Sequence, residues 1–316
     1  MSDAVTGPAD STGEAHPTGR AVLLVVHTER RRIVTLAVQA AAQLRDAGFD
    51  VRMLTEEAAS CGGEHVTSHV AEQAAQGCEF VLAFGGDGTF LRAAELARPA
   101  GVAMLGVNLG HVGFLAEAEP QELDDRVAAL VAGEYSVEER VTVEAEIVVG
   151  GKVRDRAWAL NEVSLERTNR ERMLEIAVAV DERPMLRFGC DGLICATPTG
   201  STAYAFSTGG PIMWPDVDAM LIVPNAAHAL FSRAVVVAPR SVVDIDLVSA
   251  EHAAILSCDG RRSFAVPAGA RVRVRKGALP VKVVRIGDVA FTDRLVSKFQ
   301  LPVRSLREAS PPLPED

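Results

Sequence analysis

Apolar and polar positions alternate in two different textures along the chain. Ala21–Val26 has no polar side chain, the pattern of a strand buried on both faces of a parallel sheet. Ile33–Ala47 places its apolar residues at helical spacing and stops at Gly48, and Asp50–Leu54 reads as a second strand. Beyond a polar stretch, Glu79–Phe84 is another buried strand that runs into Gly85-Gly86-Asp87-Gly88-Thr89. A helix over Thr89–Ala97 and a strand over Val102–Val107 follow. This alternation predicts a doubly wound α/β domain with a parallel sheet over residues 20–133. The Ala-, Gly-, Pro-, Ser- and Thr-rich residues 1–19 read as a disordered tail.

After a helix expected over Pro120–Ala132 and closed by Gly133, the period shortens. Val141–Val149, Lys152–Leu160, Leu174–Val180, Ala234–Val237, Val242–Val248, Ala253–Ser257, Arg271–Val274 and Val281–Val284 all read as strands. Arg271-Val-Arg-Val-Arg alternates strictly, as a strand with one wet face should. Many short strands separated by turn residues predict a β-rich, sandwich-like domain over 134–288. Residues 289–316 are expected to pack back on the α/β domain and to end in a disordered tail.

Composition narrows the function classes. With 48% apolar and 23% charged residues the chain is globular, and 32 Lys plus Arg against 42 Asp plus Glu leave a net charge of −10. That field argues against a nucleic-acid partner, whose binding rests on phosphate neutralisation, but leaves room for a local basic pocket. Five scattered cysteines read as reduced thiols in a cytoplasmic protein rather than as a disulfide framework. Gly192–Pro215 is uncharged, yet Pro198, Pro211 and its hydroxyl residues exclude a membrane helix. Residues 1–19 contain no apolar run of the secretory kind.

The candidate chemistry begins at Gly85–Thr89, where a strand gives way to a helix, the usual ligand crevice of an open α/β sheet. Glycines there let backbone N–H groups approach a phosphate, and the helix N-terminus favours its charge. The loop is not a P-loop, and Leu91 stands where a dinucleotide fingerprint has its third glycine. On spacing alone Asp87 is equally a helix N-cap. Cys61, His65 and His69 fall at i, i+4 and i+8 but lack a fourth clear ligand. Cys190 and Cys195 are isolated, Ser201 has no nucleophile elbow, and His228 and His111 read as a core or interface residue and a turn residue.

Gly85-Gly-Asp-Gly-Thr89 resembles the signature shared by NAD kinases and by lipid kinases of the diacylglycerol and sphingosine type. Three further segments resemble NAD kinases specifically: Leu105-Gly-Val-Asn-Leu-Gly-His-Val-Gly-Phe-Leu115, Leu160-Asn-Glu-Val163, and Asp191–Tyr204 continued by Ser207–Ile212. The resemblance, to the bacterial type, runs from about residue 20 to 303. It implies a Rossmann-like first domain and Mg²⁺-dependent phosphoryl transfer from ATP, or from inorganic polyphosphate, to the 2′-hydroxyl of the adenosine ribose of NAD⁺. The implied roles are Asp87 as the base, Gly88 lining the ribose site and Arg92 reaching a phosphate. Asn161 and Glu162 would bond the second nucleotide moiety or help hold a metal. Arg172 would lie near the dinucleotide, and Asp191 near the nicotinamide. Thr202, Ala203, Tyr204, Ala205, Phe206 and Ser207 would wrap the adenine and ribose, and Arg261 would be a polar ligand contact. A homo-oligomer, dimer or tetramer, is implied as well. The competing readings are a lipid kinase, which leaves Asp191–Tyr204 unexplained, and a non-catalytic NAD(P)-binding sensor.

Overall fold

The computed structural model describes residues 19–63, 66–107, 113–115, 123–168, 172–248, 252–287 and 290–303. The expected tails (1–18 and 304–316), His65, and residues 108–112 of the second glycine-rich stretch, His111 included, lie outside them.

The first half forms strands β1 (Ala21–Val26), β2 (Asp50–Leu54), β3 (Thr67–His69), β4 (Phe80–Phe84) and β5 (Ala103–Val107). Helices α1 (Arg31–Asp46), α2 (Thr55–Ser60), α3 (Ala71–Ala74), α4 (Asp87–Ala100) and α5 (Leu123–Ala132) connect them or follow. The sheet order β3-β2-β1-β4-β5 is parallel throughout, and every residue of β1 and β4 is buried. α1 and α5 cover one face through Ile33, Ala37, Leu44, Val127 and Leu130; α3 and α4 cover the other through Ala74, Phe90, Ala94 and Ala97. Gly101, at φ 68°, closes α4 in the left-handed conformation that lets its N–H bond the last helical carbonyls.

β6 (Ser136–Arg140) begins the β-rich half, followed by β7 (Val143–Val149), β8 (Lys152–Ala159), β9 (Glu162–Arg167), β10 (Leu174–Val180), β11 (Arg183–Cys190) and β12 (Gly192–Ala196). A 3-10 turn at Thr199–Thr202 and the one-turn helix α6 (Tyr204–Ser207) lead to β13 (Met220–Asn225), β14 (Val235–Val237), β15 (Val243–Leu247), β16 (Ala254–Cys258), β17 (Arg262–Val266), β18 (Arg271–Lys276), β19 (Val281–Arg285) and α7 (Phe291–Phe299). Two six-stranded antiparallel sheets, β11-β10-β15-β18-β7-β8 and β14-β13-β12-β9-β16-β17, close on a shared apolar core. Val272 and Val274 of β18 face that core. Its arginines face out, where Arg271 pairs with Asp246 at 2.6 Å and Arg273 with Asp244 at 2.8 Å.

The topology corrects the division drawn at residues 134 and 288. β6 and β19 belong to the first sheet, β19 running parallel to β5 and β6 closing the edge antiparallel to it. Strand texture reports burial and not the neighbouring strand, so the return of the chain to the first sheet left no local mark. α7 then stacks Phe291 on Phe114 and Trp214, and Phe299 on Phe114 and Phe206.

Candidate active site

The strand order reverses at β1, so the connections leaving β1 and β4 diverge and open a crevice beyond their carboxyl ends. A cleft of about 500 Å³ lies there, between His27–Arg30 after β1 and Gly86, Gly88, Thr89 and Arg92 at the start of α4. Arg261, from the turn between β16 and β17, completes its wall. Gly85 is a glycine for packing, because a Cβ there would overlap the Thr89 side chain. Gly86 and Gly88 are not. Neither has a left-handed backbone, and a Cβ on either would meet no protein atom within 4 Å. What their bareness preserves is open space in the cleft.

Asp87 is the first residue of α4, and Gly86 holds the N-cap position, so the N-cap alternative does not describe it. Its Oδ1 accepts the Leu115 N–H at 3.3 Å, and the carboxylate lies against Gly113, where a Cβ would overlap it. The second glycine-rich stretch thus supplies the floor under Asp87.

Arg92 lines the cleft but already has partners. Its guanidinium donates to the Val26 carbonyl at 2.9 Å and to the Glu57 carboxylate, which in turn accepts the Val26 N–H at 2.9 Å. Glu57 is buried, and desolvation pushes its pKa up against the pull of Arg92. Arg261 pairs with Glu95 of α4 at 3.1 Å. Neither Glu57 nor Glu95 was singled out in the sequence: one stands in a stretch read only as polar, the other in an ordinary helical turn.

The Asn161–Glu162 pair sits where β8 hands over to β9. Asp259 Oδ1 accepts the Asn161 N–H at 2.6 Å, and Thr197 N donates to the Asn161 carbonyl at 2.8 Å. Gly200 packs so tightly on that carbonyl that a Cβ would collide with backbone. Asn161 Oδ1, Glu162 Oε2 and Thr199 Oγ1 are buried without a hydrogen-bond partner. Buried polar atoms are rarely left so, and these mark a place where a polar ligand would complete them. Burial and the nearby Asp259 carboxylate push Glu162 up to about 8, against the stabilising Tyr204 N–H. A small crevice of about 20 Å³ runs between Phe90, Phe114 and Leu115 on one side and Leu160, Thr199 and Thr202 on the other.

Of the remaining expected residues, Thr202 Oγ1 bonds the Thr199 carbonyl at 3.3 Å, and the Tyr204 hydroxyl accepts from Asn225 at 3.1 Å. Ala203 precedes α6, Ala205 is buried, Ser207 is exposed, and Phe206 stacks on Phe299 with ring centres 4.9 Å apart. Asp191 pairs with Arg167 at 3.0 Å. Arg172 is exposed beside His252 Nε2 at 3.3 Å, and neither residue lines the clefts described. Cys190, Cys195 and Cys258 are buried in strands with thiols pushed up to about 12, and all five cysteines are free. Ser201 is buried on the Pro198 carbonyl, His228 is exposed, and Cys61 and His69 share no helix.

A doubly wound sheet with a glycine-lined switch-point cleft, joined to a β-sandwich that holds buried, unpartnered polar atoms at Asn161, Glu162 and Thr199, has the character of a two-part nucleotide-binding protein. Models of the ATP-NAD kinase N-terminal and C-terminal domains match residues 22–135 and 160–286, and the chain belongs to that family. It is 47% identical over 306 residues to the NAD kinase of Rhodococcus erythropolis, covering 92% of this chain and 97% of that one. It is 47% identical over 301 residues to the NAD kinase of Mycobacterium tuberculosis, covering 91% and 98%. The fold is that of yeast NADH kinase complexed with NADH, with a TM-score of 0.82, 20% identity and 90% of each chain covered. An NAD kinase from Archaeoglobus fulgidus in complex with ATP matches with a TM-score of 0.66 and 24% identity, over 89% of this chain and 98% of that one.

Proposed function

We propose the following assignment of residues to the family's reaction. The chain is an NAD kinase, a phosphotransferase that takes NAD and ATP as its substrates. Transfer to the 2′-hydroxyl of the adenosine ribose is assigned to Asp87. The observation that carries this is its placement: a carboxylate at the first turn of α4, between Gly86 and Gly88 that line the switch-point cleft, and held against the bare backbone of Gly113. A ribose hydroxyl is a poor nucleophile, and a placed general base supplies about 10²–10⁴-fold, or roughly 3–5 kcal/mol of barrier. Positioning and charge neutralisation supply the remainder.

Donor phosphates are assigned to the glycine-lined cleft, with Arg30, Arg92 and Arg261 as the cations lining it, and Gly88 is assigned to the ribose of the acceptor at its edge. The acceptor is assigned to Asn161, Glu162 and the Thr202–Ser207 wall, with Asp191 and Arg172 outside the crevice toward the nicotinamide end. Among the described residues no three His, Cys, Asp or Glu side chains are grouped to hold a metal ion. These residues do not by themselves make a Mg²⁺ cage. In this reaction class Mg²⁺ neutralises charge on the donor phosphates and is often carried on them with its waters. The fully exposed Leu230, the exposed Phe231 and the free edge of β14 support a homo-oligomer. The scattered free thiols support a cytoplasmic setting, and among the described residues no helix is long and apolar enough to cross a membrane.

The test is an endpoint assay with NAD⁺, Mg²⁺ and either ATP or polyphosphate, NADP⁺ being read by a dehydrogenase specific for it. NADP⁺ formation is expected with ATP, and the parallel arm decides whether polyphosphate serves. Tight NAD⁺ binding with no product from either donor would favour the sensor.

A further inference from the structure

We propose that Asp259 is a positioning residue, which aims Asn161 and Glu162 at the acceptor dinucleotide by gripping their backbone. The inference rests on the reading that Asn161 and Glu162 touch the acceptor.

Asp259 stands in the tight turn between β16 and β17, at φ 54°, a conformation that aspartate tolerates better than most L residues. Its carboxylate is buried and turns onto the start of the neighbouring strand of the same sheet, β9. Oδ2 accepts the Leu160 N–H at 2.9 Å, Oδ1 accepts the Asn161 N–H at 2.6 Å, and the Glu162 N–H lies 3.4 Å from Oδ1. Three successive N–H groups converge on one side chain. The Asp259 N–H donates to the Glu162 carbonyl at 3.0 Å. From the other side, Thr197 Oγ1 donates to the Leu160 carbonyl at 2.6 Å and its N–H to the Asn161 carbonyl. Two residues therefore hold every backbone group of this turn through Asn161, while the side-chain atoms Asn161 Oδ1 and Glu162 Oε2 are left open.

That division fits an aimed site better than a stability device. A second carboxyl group beside Glu162 is costly to bury, through its own desolvation and by raising the pKa of Glu162, and a neutral acceptor in the turn would avoid both. Charge-assisted acceptance from several N–H groups fixes a backbone more rigidly than neutral bonds do. The grip also extends outward. Arg262 lies 3.2 Å from Asp259 Oδ2 and 3.2 Å from Glu95 of α4, with its guanidinium over the Trp158 ring. The helix that starts at Asp87 is thereby tied to the turn that carries Asn161.

The test is steady-state kinetics of Asp259→Asn and Asn161→Ala, alone and combined, with NAD⁺ and ATP varied separately. Asp259→Asn is expected to raise the NAD⁺ KM at least about tenfold, with the ATP KM within about twofold and kcat within about threefold. In the double variant the second change should add little, because both act through the same contact. An unchanged NAD⁺ KM, a parallel rise of both KM values, or full additivity with Asn161→Ala would overturn the inference. Wild-type NAD⁺ KM in Asn161→Ala would instead remove Asn161 from the acceptor site, whatever Asp259→Asn does. If Asp259→Asn does not fold, Asp259→Ser, smaller and still an oxygen acceptor, is read by the same split. Failure of both to fold would make Asp259 part of the fold rather than of the site, against the proposal.

Discussion

The carboxylate of Asp87 rests directly on the backbone of Gly113, and the two residues come from separate glycine-rich segments. A Cβ on Gly113 would overlap Oδ1, so the bare backbone sets where the carboxylate stands. Gly113→Ala is expected to displace Asp87 and lower kcat by about 10–100-fold while the protein stays folded, because the side chain can move where backbone cannot. Asp87→Asn, isosteric and still able to take the Leu115 N–H, should keep the fold and lose at least about a hundredfold in kcat. Wild-type turnover in a folded Asp87→Asn protein would remove Asp87 from the base role.

Gly88 offers the opposite trade. It lies inside α4, where alanine is a better helix former by up to about 1 kcal/mol, and no protein atom opposes a Cβ. Gly88→Ala should therefore melt at or above the wild-type temperature and yet show a kcat/KM at least about tenfold lower, because the methyl group fills the cleft. Thermal melts and kinetics on one preparation check both halves. Full activity with raised stability would mean that the ligand does not approach this glycine.

The sequence made the site partly legible, and the legible part is the local one. The Gly85–Thr89 loop announces itself because a buried apolar run ends abruptly in glycines. β1, β2 and β10 were bounded correctly because their apolar runs end at turn residues. α2 and β3 are too short for a period to show. β12 and β13 lie in and beside a segment that stands out in the sequence only by its missing charge. Asp259 could not be read at all: its work is done on N–H groups 97 to 99 positions earlier in the chain. Side-chain identity carries no trace of such a partner, and the Asp-Gly pair advertises only a turn. Arg92 carries a second duty that its place near a phosphate loop does not announce, for it also serves a buried glutamate.

That double duty gives Arg92 a distinguishing test. Arg92→Met leaves Glu57 buried with only the Val26 N–H. Removing one partner of a buried pair is strongly destabilising, here roughly 2–3 kcal/mol because the Arg92 side chain is 33% exposed. Adding Glu57→Gln should restore part of the loss, since the neutral amide needs no counter-charge. Urea unfolding of the single and double variants measures this. Undiminished stability of Arg92→Met together with a tenfold rise in the ATP KM would make Arg92 a phosphate contact first.

Glu162 ties the acceptor site to the pH dependence of stability. Burial among Asp259 and Glu166 raises its folded-state pKa to about 8, from an ordinary 4.5, and only the Tyr204 N–H opposes the rise. Below pH 4.5 the group is protonated in both states, so its burial costs nothing electrostatic. Between 4.5 and about 8 the unfolded chain has released that proton and the folded chain has not. The folded state then binds more protons, and its stability falls as pH rises through this window, by roughly 3–5 kcal/mol in all. Glu162→Gln removes the titration. It should therefore gain in melting temperature over the wild type progressively from pH 5 to pH 8. Melts at pH 5, 6.5 and 8 check the slope. A difference that stays constant or shrinks with rising pH would mean that Glu162 is ionised in the folded protein, and that a charged carboxylate awaits the acceptor.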